Sequence, residues 1–377
     1  MRFIFLLLGC LTLIGTSYAD QGPFSSCQEE IKKYCSVHQK AADKISCLLT
    51  LKNLSSDCQQ ELQRISKTLE ATGSRGGGGL SSFGGVMGRF GLLPLKKSVV
   101  SINGMSAPEG NPTVVEQGKV NVSTPLWSKA GRSFSLSAGA GSVVFNEPQF
   151  FDDGSSTPRE LHRVEIGGQY TRTTQAGKLY GGRLSVGSAS DRPFYSKDEM
   201  AYNLNGFYTA NTNGDNHWIW TVFLSNNNPV ANFIPIPGFI YLYKKDGFIG
   251  MFGLPFFNMQ WTPKEPWVLS ISSFLTNLNA EVAYGFRDRV QAFAGFAISQ
   301  QSFLREGREE NTDRLFFNEK KIFTGVKSPY TKEVSLEFQT GLSFDRSLKE
   351  GKRFNDTHLE ADLGRSWFLS LGFNLII

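Results

Sequence analysis

Side chains able to carry acid–base, nucleophilic or metal chemistry are few and scattered. Four histidines occur in 377 residues, His38, His162, His217 and His358. A lipid-hydrolysing site needs an accessible Ser–His pair with an orienting acid or amide. His217 precedes Thr221 and Ser225 on the strand face opposite Trp218, which is the position of a strand-end histidine rather than a base. His358 lies between Asp356 and Glu360, in a charged stretch that reads as a solvated loop. No HExxH, EF-hand, Walker or nucleophile-elbow pattern occurs. DDGSS at 152–156 is an Asp-Gly turn by default, with weak calcium binding as its alternative. No enzyme and no cofactor is expected. What remains is a set of ionisable residues on the polar faces of apolar strands: Arg163, Glu165, Arg183, Glu281 and Glu337. Unpaired charge facing lipid costs about 2–4 kcal/mol at mid-membrane, so in a membrane wall these residues point into a lumen. Two roles stay open for them. They pair across strands and plug a narrow barrel, or they line a channel and bias its ion preference.

The elements that would position them are strands. In Ser366–Ile377, Trp367, Leu369, Leu371, Phe373, Leu375 and Ile377 share one face. Ser366, Ser370, Gly372 and Asn374 share the other, with Phe368 and Ile376 as exceptions. A period of two with a small, polar second face suits a wall between lipid and water. The same alternation recurs through Tyr180–Val186, Met200–Thr209, Trp218–Leu224, Val290–Ser299 and Val334–Phe344. The expected fold is all-β, a transmembrane antiparallel barrel of about 12–14 strands, apolar outside and wet within. Segments 147–160, 189–198, 227–236, 302–316 and 345–365 are long, charged or rich in Pro and Asn, whereas 174–177, 244–247, 287–289 and 328–331 are short. Sorting by parity in this way is the loop asymmetry of an outer-membrane barrel, and a soluble sandwich has no reason for it. Gly247–Pro263 must then be two strands joined at Gly253-Leu254-Pro255. Counting from Gly131 gives about fourteen strands, with Lys119–Leu126 left over, outside the barrel or plugging it. Trp127, Trp218, Trp261, Trp267, Trp367, Tyr241 and Tyr243 suit aromatic girdles.

Composition agrees with that architecture. There are 31 Phe and 39 Gly, and aromatics make up 13% of the chain, which favours strands and tight turns over bundles. The net charge of +5 is dispersed, so nucleic acid is not an expected partner. Residues 1–19 read as a secretory signal peptide: Arg2, an apolar run from Phe3 to Ile14, and Ser17-Tyr18-Ala19 as cleavage site. Leu7-Leu8-Gly9-Cys10 offers a lipoprotein box as the lesser alternative. The exported chain keeps Cys27, Cys35, Cys47 and Cys58, all before residue 59. Clustered, even in number and exported, they read as a disulfide-stapled helical module over 20–72, with Ser55 or Ser56 capping its last helix. Zinc is the rival reading, against which stand the lack of CxxC spacing and the lone His38. Residues 73–112, with GSRGGGG at their start, read as a flexible linker. Leu92–Ile102 stays open between a strand and a plug, and 113–377 is the barrel.

Three resemblances sit beside this reading. The last strand, with Ser370, Gly372, Leu375 and Ile377 in spacing, resembles the C-terminal sorting signal of bacterial outer-membrane barrels, with Ile377 where an aromatic is usual. That implies a Gram-negative outer membrane and recognition by the barrel-assembly machinery. Cys27, Ile31, Cys35, Cys47-Leu48, Leu54-Ser55 and Cys58 resemble one cysteine-rich repeat of the kind found in Golgi apparatus protein 1. A nested pairing, Cys27 with Cys58 and Cys35 with Cys47, would staple its antiparallel helices, and three pairings remain open. PGFIYLYKKDGFIGMFGLPFFNMQWTPKEPW (237–267) looks like a family of uncharacterised bacterial outer-membrane barrels, a likeness extending loosely over 160–377. The expected function is a passive narrow pore or structural membrane protein. The alternatives are an anchoring protein whose cysteine-rich module grips a periplasmic partner and, further off, an outer-membrane lipid hydrolase.

Overall fold

The computed structural model describes residues 97–106, 115–129, 131–174, 178–211, 216–230, 232–286, 289–331 and 333–377, together with 32, 33, 55, 56 and 58. The chain divides into two units, Met1–Arg75 and Gly76–Ile377. In the first, Lys32 and Lys33 are helical, and Ser55 Oγ accepts the N–H of Cys58 at 3.4 Å. That is the bond by which an N-cap starts a helix. Cys58 is buried and disulfide-bonded. The signal peptide, Cys27, Cys35, Cys47 and the glycine run lie outside the described residues.

The second unit is one closed sheet. Its strands are β1 (Val99–Ser106), β2 (Val115–Lys129), β3 (Arg132–Phe145), β4 (Glu160–Thr173), β5 (Leu179–Ser190), β6 (Met200–Asn211), β7 (His217–Ser225) and β8 (Ile236–Lys245). They continue as β9 (Phe248–Leu254), β10 (Phe256–Trp261), β11 (Trp267–Phe274), β12 (Asn277–Tyr284), β13 (Gln291–Phe303), β14 (Arg314–Pro329), β15 (Val334–Arg353) and β16 (Asp356–Ile376). Each pairs antiparallel with its sequence neighbours, and β1 pairs with β16 from Val99↔Ile376 to Ser106↔Leu369. A sheet closed in this way has no unpaired edge, the condition for crossing hydrocarbon with strands.

The count is sixteen, which corrects the expected 12–14. The two further strands are β1, which falls inside the 73–112 stretch expected to be a linker, and β2, which takes up the Lys119–Leu126 segment expected to be surplus. Their apolar face is thin: Val120 and Val122 stand on the outside of β2 between Lys119, Asn121 and Ser123. Pairing with β16 and β3 makes them strands, not their own composition. β9 and β10 meet at Pro255, as parity requires. The connections 146–159, 191–199, 226–235 and 304–313 share one rim, and 130–131, 174–178, 246–247 and 262–266 share the other.

The outer face is apolar and open. Ile166, Leu184, Trp220, Ile322, Trp367 and Leu371 are each more than half exposed, and all lie in phase. On β15 this face runs from Val334 to Leu342, and Asp345 follows above it. Those nine residues (334 to 342), at ~3.3 Å per residue and tilted by ~40°, stand roughly 23 Å tall, the height of an apolar membrane band. Rings collect at its short-turn end, where Trp127 faces Tyr170, Trp218 lies 4.9 Å from Tyr241, and Trp267 lies 4.9 Å from Tyr284. Trp367, paired with Leu342, departs from that girdle and stands in mid-strand. The wall is uneven: β15 and β16 run 20 and 21 residues, while β9 to β12 run 6 to 8.

Leu371→Arg places a charge on the lipid face at mid-wall. It is expected to lower the unfolding free energy in vesicles by about 2–4 kcal/mol, read by urea titration of tryptophan emission.

Candidate functional site

The inner face is more apolar than the wet lumen expected of it, although Gln169, Asn258, Gln260 and Gln291 are buried there too. Three apolar clusters stand on it among the described residues. One joins Val115, Val143, Phe145, Leu161 and Ala189 of β2–β5 to Phe303, Leu315, Phe317, Leu348, Ala361 and Leu363 of β13–β16. A second gathers Phe207, Ile219, Ile240, Met251 and Phe256. The third gathers Val268, Ala283, Phe293, Phe323 and Phe368. Phe145 meets Phe317 edge-on at 5.9 Å, although β3 and β14 stand five steps apart round the ring. In a circular sixteen-strand barrel such strands would be about 27 Å apart. The cross-section is therefore flattened, and side chains from opposite walls meet.

The five ionisable residues singled out by sequence all lie on this inner face, alternating with the exposed Val164, Ile166, Leu184, Val282, Leu336 and Phe338. Four of them form two groups, and Arg163 makes contacts of its own. Glu165 of β4 lies 3.7 Å from Arg183 of β5, whose Nη2 donates to Ser137 Oγ of β3 at 3.1 Å. Gly139 and Gly187 flank Glu165 in register. A Cβ on Gly187 would come within 2.0 Å of the Val164 carbonyl, so glycine there lets the strands lie close around the carboxylate. Glu281 of β12 lies 2.6 Å from Lys327 of β14, and Glu337 of β15 lies 3.9 Å from the same ammonium. Lys327 Nζ also sits 4.3 Å above the Phe293 ring. That ring occupies the space left by Gly325, where a Cβ would come 2.6 Å from it. Arg163 crosses the lumen: its Nη2 donates to the Ser302 carbonyl of β13 at 3.1 Å, and its guanidinium lies over Phe303.

Sequence reasoning missed the cations and amides that complete these groups. Lys327 is one. Lys321 of β14 and Gln117 of β2 are others: around the almost fully buried Glu319 of β14, a further acid that was missed, Lys321 lies at 2.8 Å, Ser343 Oγ donates at 2.7 Å and Gln117 Nε2 donates at 3.0 Å. A cavity of about 280 Å³ remains between Gln117, Lys119, Arg163, Glu165 and Lys321. The available signal was phase: Lys321 and Lys327 both fall in step with Phe323 and Glu319.

Among the described residues, loops fold across the long-loop mouth. Segment 304–313 runs across it: Leu304 N–H donates to the Ala189 carbonyl at 2.6 Å, and Arg308 Nη2 donates to the Asp198 carbonyl at 2.8 Å. Arg314 Nη2 donates to the Asn226 carbonyl at 2.6 Å, and Arg192 pairs with Glu306 at 2.8 Å. In DDGSS the Asp153 carboxylate accepts from the Ser155 N–H and hydroxyl, which closes the turn and holds its carboxyl below the ordinary range. Lys352, 2.9 Å away, does the same for Glu310.

No family model matches the chain, and no curated protein matches it, so neither the cysteine-rich repeat nor the uncharacterised barrel family is supported. Among solved structures it is similar to an outer membrane channel from Pseudomonas putida F1, at 8% identity and a TM-score of 0.33, over 76% of this chain and 97% of that one. It is also similar to the TodX monoaromatic hydrocarbon channel, at 6% identity and a TM-score of 0.31, over 74% and 89%. A third is outer membrane phospholipase A from Escherichia coli, at 11% identity and a TM-score of 0.26, over 75% and 90%. The fold class of this chain rests on its own closed sheet of sixteen antiparallel strands.

Lys327→Met strands two carboxylates, Glu281 and Glu337, in the wall. It is expected to cost about 3–5 kcal/mol in urea unfolding, and adding Glu281→Gln is expected to recover part of that loss.

Proposed function

We propose that this chain is a passive outer-membrane β-barrel of a Gram-negative bacterium, held narrow or shut by its own side chains. The observation that carries this reading is the meeting of opposite walls: Phe145 on Phe317, Arg163 on the Ser302 carbonyl, and Gln117 on Glu319. Of the two roles open to the charged residues, pairing and plugging is the one their neighbours support, since four of the five lie within 4 Å of an opposite charge. The rim of long loops then faces outward. The opposite rim, where Ser98 enters the wall and Ile377 leaves it, faces the periplasm, with the cysteine-bearing segment 20–72 on that side. Cys58 is the one member of the proposed disulfide staple among the described residues. The terminal strand, with Ser370, Gly372, Leu375 and Ile377, serves as the address for the assembly machinery.

Catalysis is not part of this reading. His217 and Thr221 share the inner face of β7, but four residues of strand separate them by about 13 Å, beyond proton transfer. His162 pairs with Glu160 at 3.1 Å in an exposed position.

Reconstituted in planar bilayers, the protein is expected to conduct far less than an open barrel of sixteen strands. Phe145→Ala with Phe317→Ala is expected to raise single-channel conductance several-fold, at a stability cost of about 3–5 kcal/mol for each ring. A wild-type protein that conducts as a wide, open pore would sink the proposal. So would one that stays a compact monomer without detergent and shows no heat-modifiable gel migration.

A further inference from the structure

Where the long-loop segment 304–313 meets the tall hairpin of β15 and β16, three residues bring donor atoms within 4.8 Å of one another: Asp313, Glu350 and His358. Each comes from a different element. Asp313 closes the segment just before β14, Glu350 lies near the top of β15, and His358 lies at the start of β16. Register explains the histidine. Glu350 stands opposite Leu359 and Gly351 opposite Thr357, which leaves His358 as the extra residue of a bulge. A bulge re-aims the side chain it carries.

The carboxylates are not satisfied by what surrounds them. Asp313 is 98% buried by its 2% relative exposure, and its Oδ1 has no hydrogen-bond partner; Oδ2 accepts only the Glu310 N–H, at 3.3 Å. Glu350 is fully buried. Its Oε1 accepts from Arg305 Nη2 at 2.9 Å, and its Oε2 lies 2.6 Å from Arg305 Nε without the alignment of a hydrogen bond. Two buried carboxylates this close repel; Arg305 balances Glu350, while Arg314 and Lys352 act on Asp313 through their charge without filling its Oδ1. A buried acid oxygen with no donor, beside a second acid and an imidazole, is the environment that a divalent cation completes.

We propose that Asp313, Glu350 and His358 bind a divalent first-row transition metal of the zinc class. Calcium and magnesium take oxygen ligands, so the imidazole selects against them. Tetrahedral zinc would bring the three donors to about 3.3 Å from one another, a contraction that side-chain rotation provides, and water would fill the fourth position. The ion would tie the segment that crosses the mouth to the hairpin beside it, so binding would make the mouth harder to open. The site stands independently of whether the lumen conducts.

The test uses full-length protein refolded in detergent with its cysteines oxidised, titrated with zinc chloride by calorimetry and checked by elemental analysis after gel filtration. One zinc per chain is expected, unaffected by millimolar calcium, together with a rise in unfolding temperature that EDTA reverses. His358→Ala, at an exposed position that folding tolerates, is expected to weaken binding by at least about tenfold, since even outer-shell changes reach that size. Asp313→Asn, which keeps the side-chain shape, is expected to weaken it similarly. His162→Ala is the control and should leave the titration unchanged. Absence of stoichiometric zinc in the wild type, or full affinity in both His358→Ala and Asp313→Asn, would overturn the proposal. Binding lost equally in His162→Ala would assign the metal elsewhere and overturn it too.

Discussion

Peptide groups placed in hydrocarbon have no water to bond, and that constraint dictates the rest of this molecule. Every strand must donate and accept on both sides, so the sheet has to close on itself through β1 and β16. Closure then settles the faces. Once one side of each strand meets lipid, Leu184, Ile322 and Leu371 belong outside, and whatever alternates with them is turned inward. Lys327, Glu281 and Glu319 are inside because the outside would cost more, not because the interior attracts charge. Having been turned in, Lys327 pairs with Glu281 across β13, Glu319 pairs with Lys321, and the Phe293 ring settles over Gly325.

A ring of sixteen strands encloses more space than side chains on one wall can fill. Here the space is removed by flattening. Phe145 and Phe317, or Phe223 and Phe274 at 5.7 Å across β7 and β11, give the two long walls a shared core of the kind found in a sandwich. Dispersion between packed rings replaces the lumen water that a circular barrel would hold. The mouth is treated in the same way. Backbone carbonyls of Ala189 and Asp198 receive donors from the crossing segment, and that of Asn226 from Arg314 at its end, so the segment is bonded to the wall where a loop left in solvent would bond water.

The wall was legible because a half-buried strand writes its two faces as alternating residue types, and lipid outside makes that contrast strong. Trp367, Leu369 and Leu371 declare the outer face of β16 without help, and loop length by parity declares the two rims. The first two strands were not legible for the same reason. Asn103, Gly104, Lys119 and Asn121 give β1 and β2 little contrast, and only closure, a property of the whole ring, recruits them. The packed interior was hidden too. Phe316 and Phe317 are adjacent and both buried, so period two fails at the very place where walls meet. Of the charged residues, Arg163, Glu165, Arg183, Glu281 and Glu337 were found by phase, while Glu319 was missed and Lys327 was passed over as one of many lysines. Its importance comes from standing opposite Glu337 in register and reaching diagonally to Glu281, which only pairing of particular strands reveals. His358 was read as solvated, and its approach to Asp313 and Glu350 depends on a one-residue bulge that spacing does not announce.

The seam between β1 and β16 joins residues some 270 positions apart in the chain, and nothing shorter can complete the ring. Until those two ends meet, both carry raw edges that any other polypeptide could pair with. Synthesis delivers the early edge long before the late one. The unfinished chain is therefore most open to mispairing at Val99–Ser106, in the interval before Asp356–Ile376 exists to close against it.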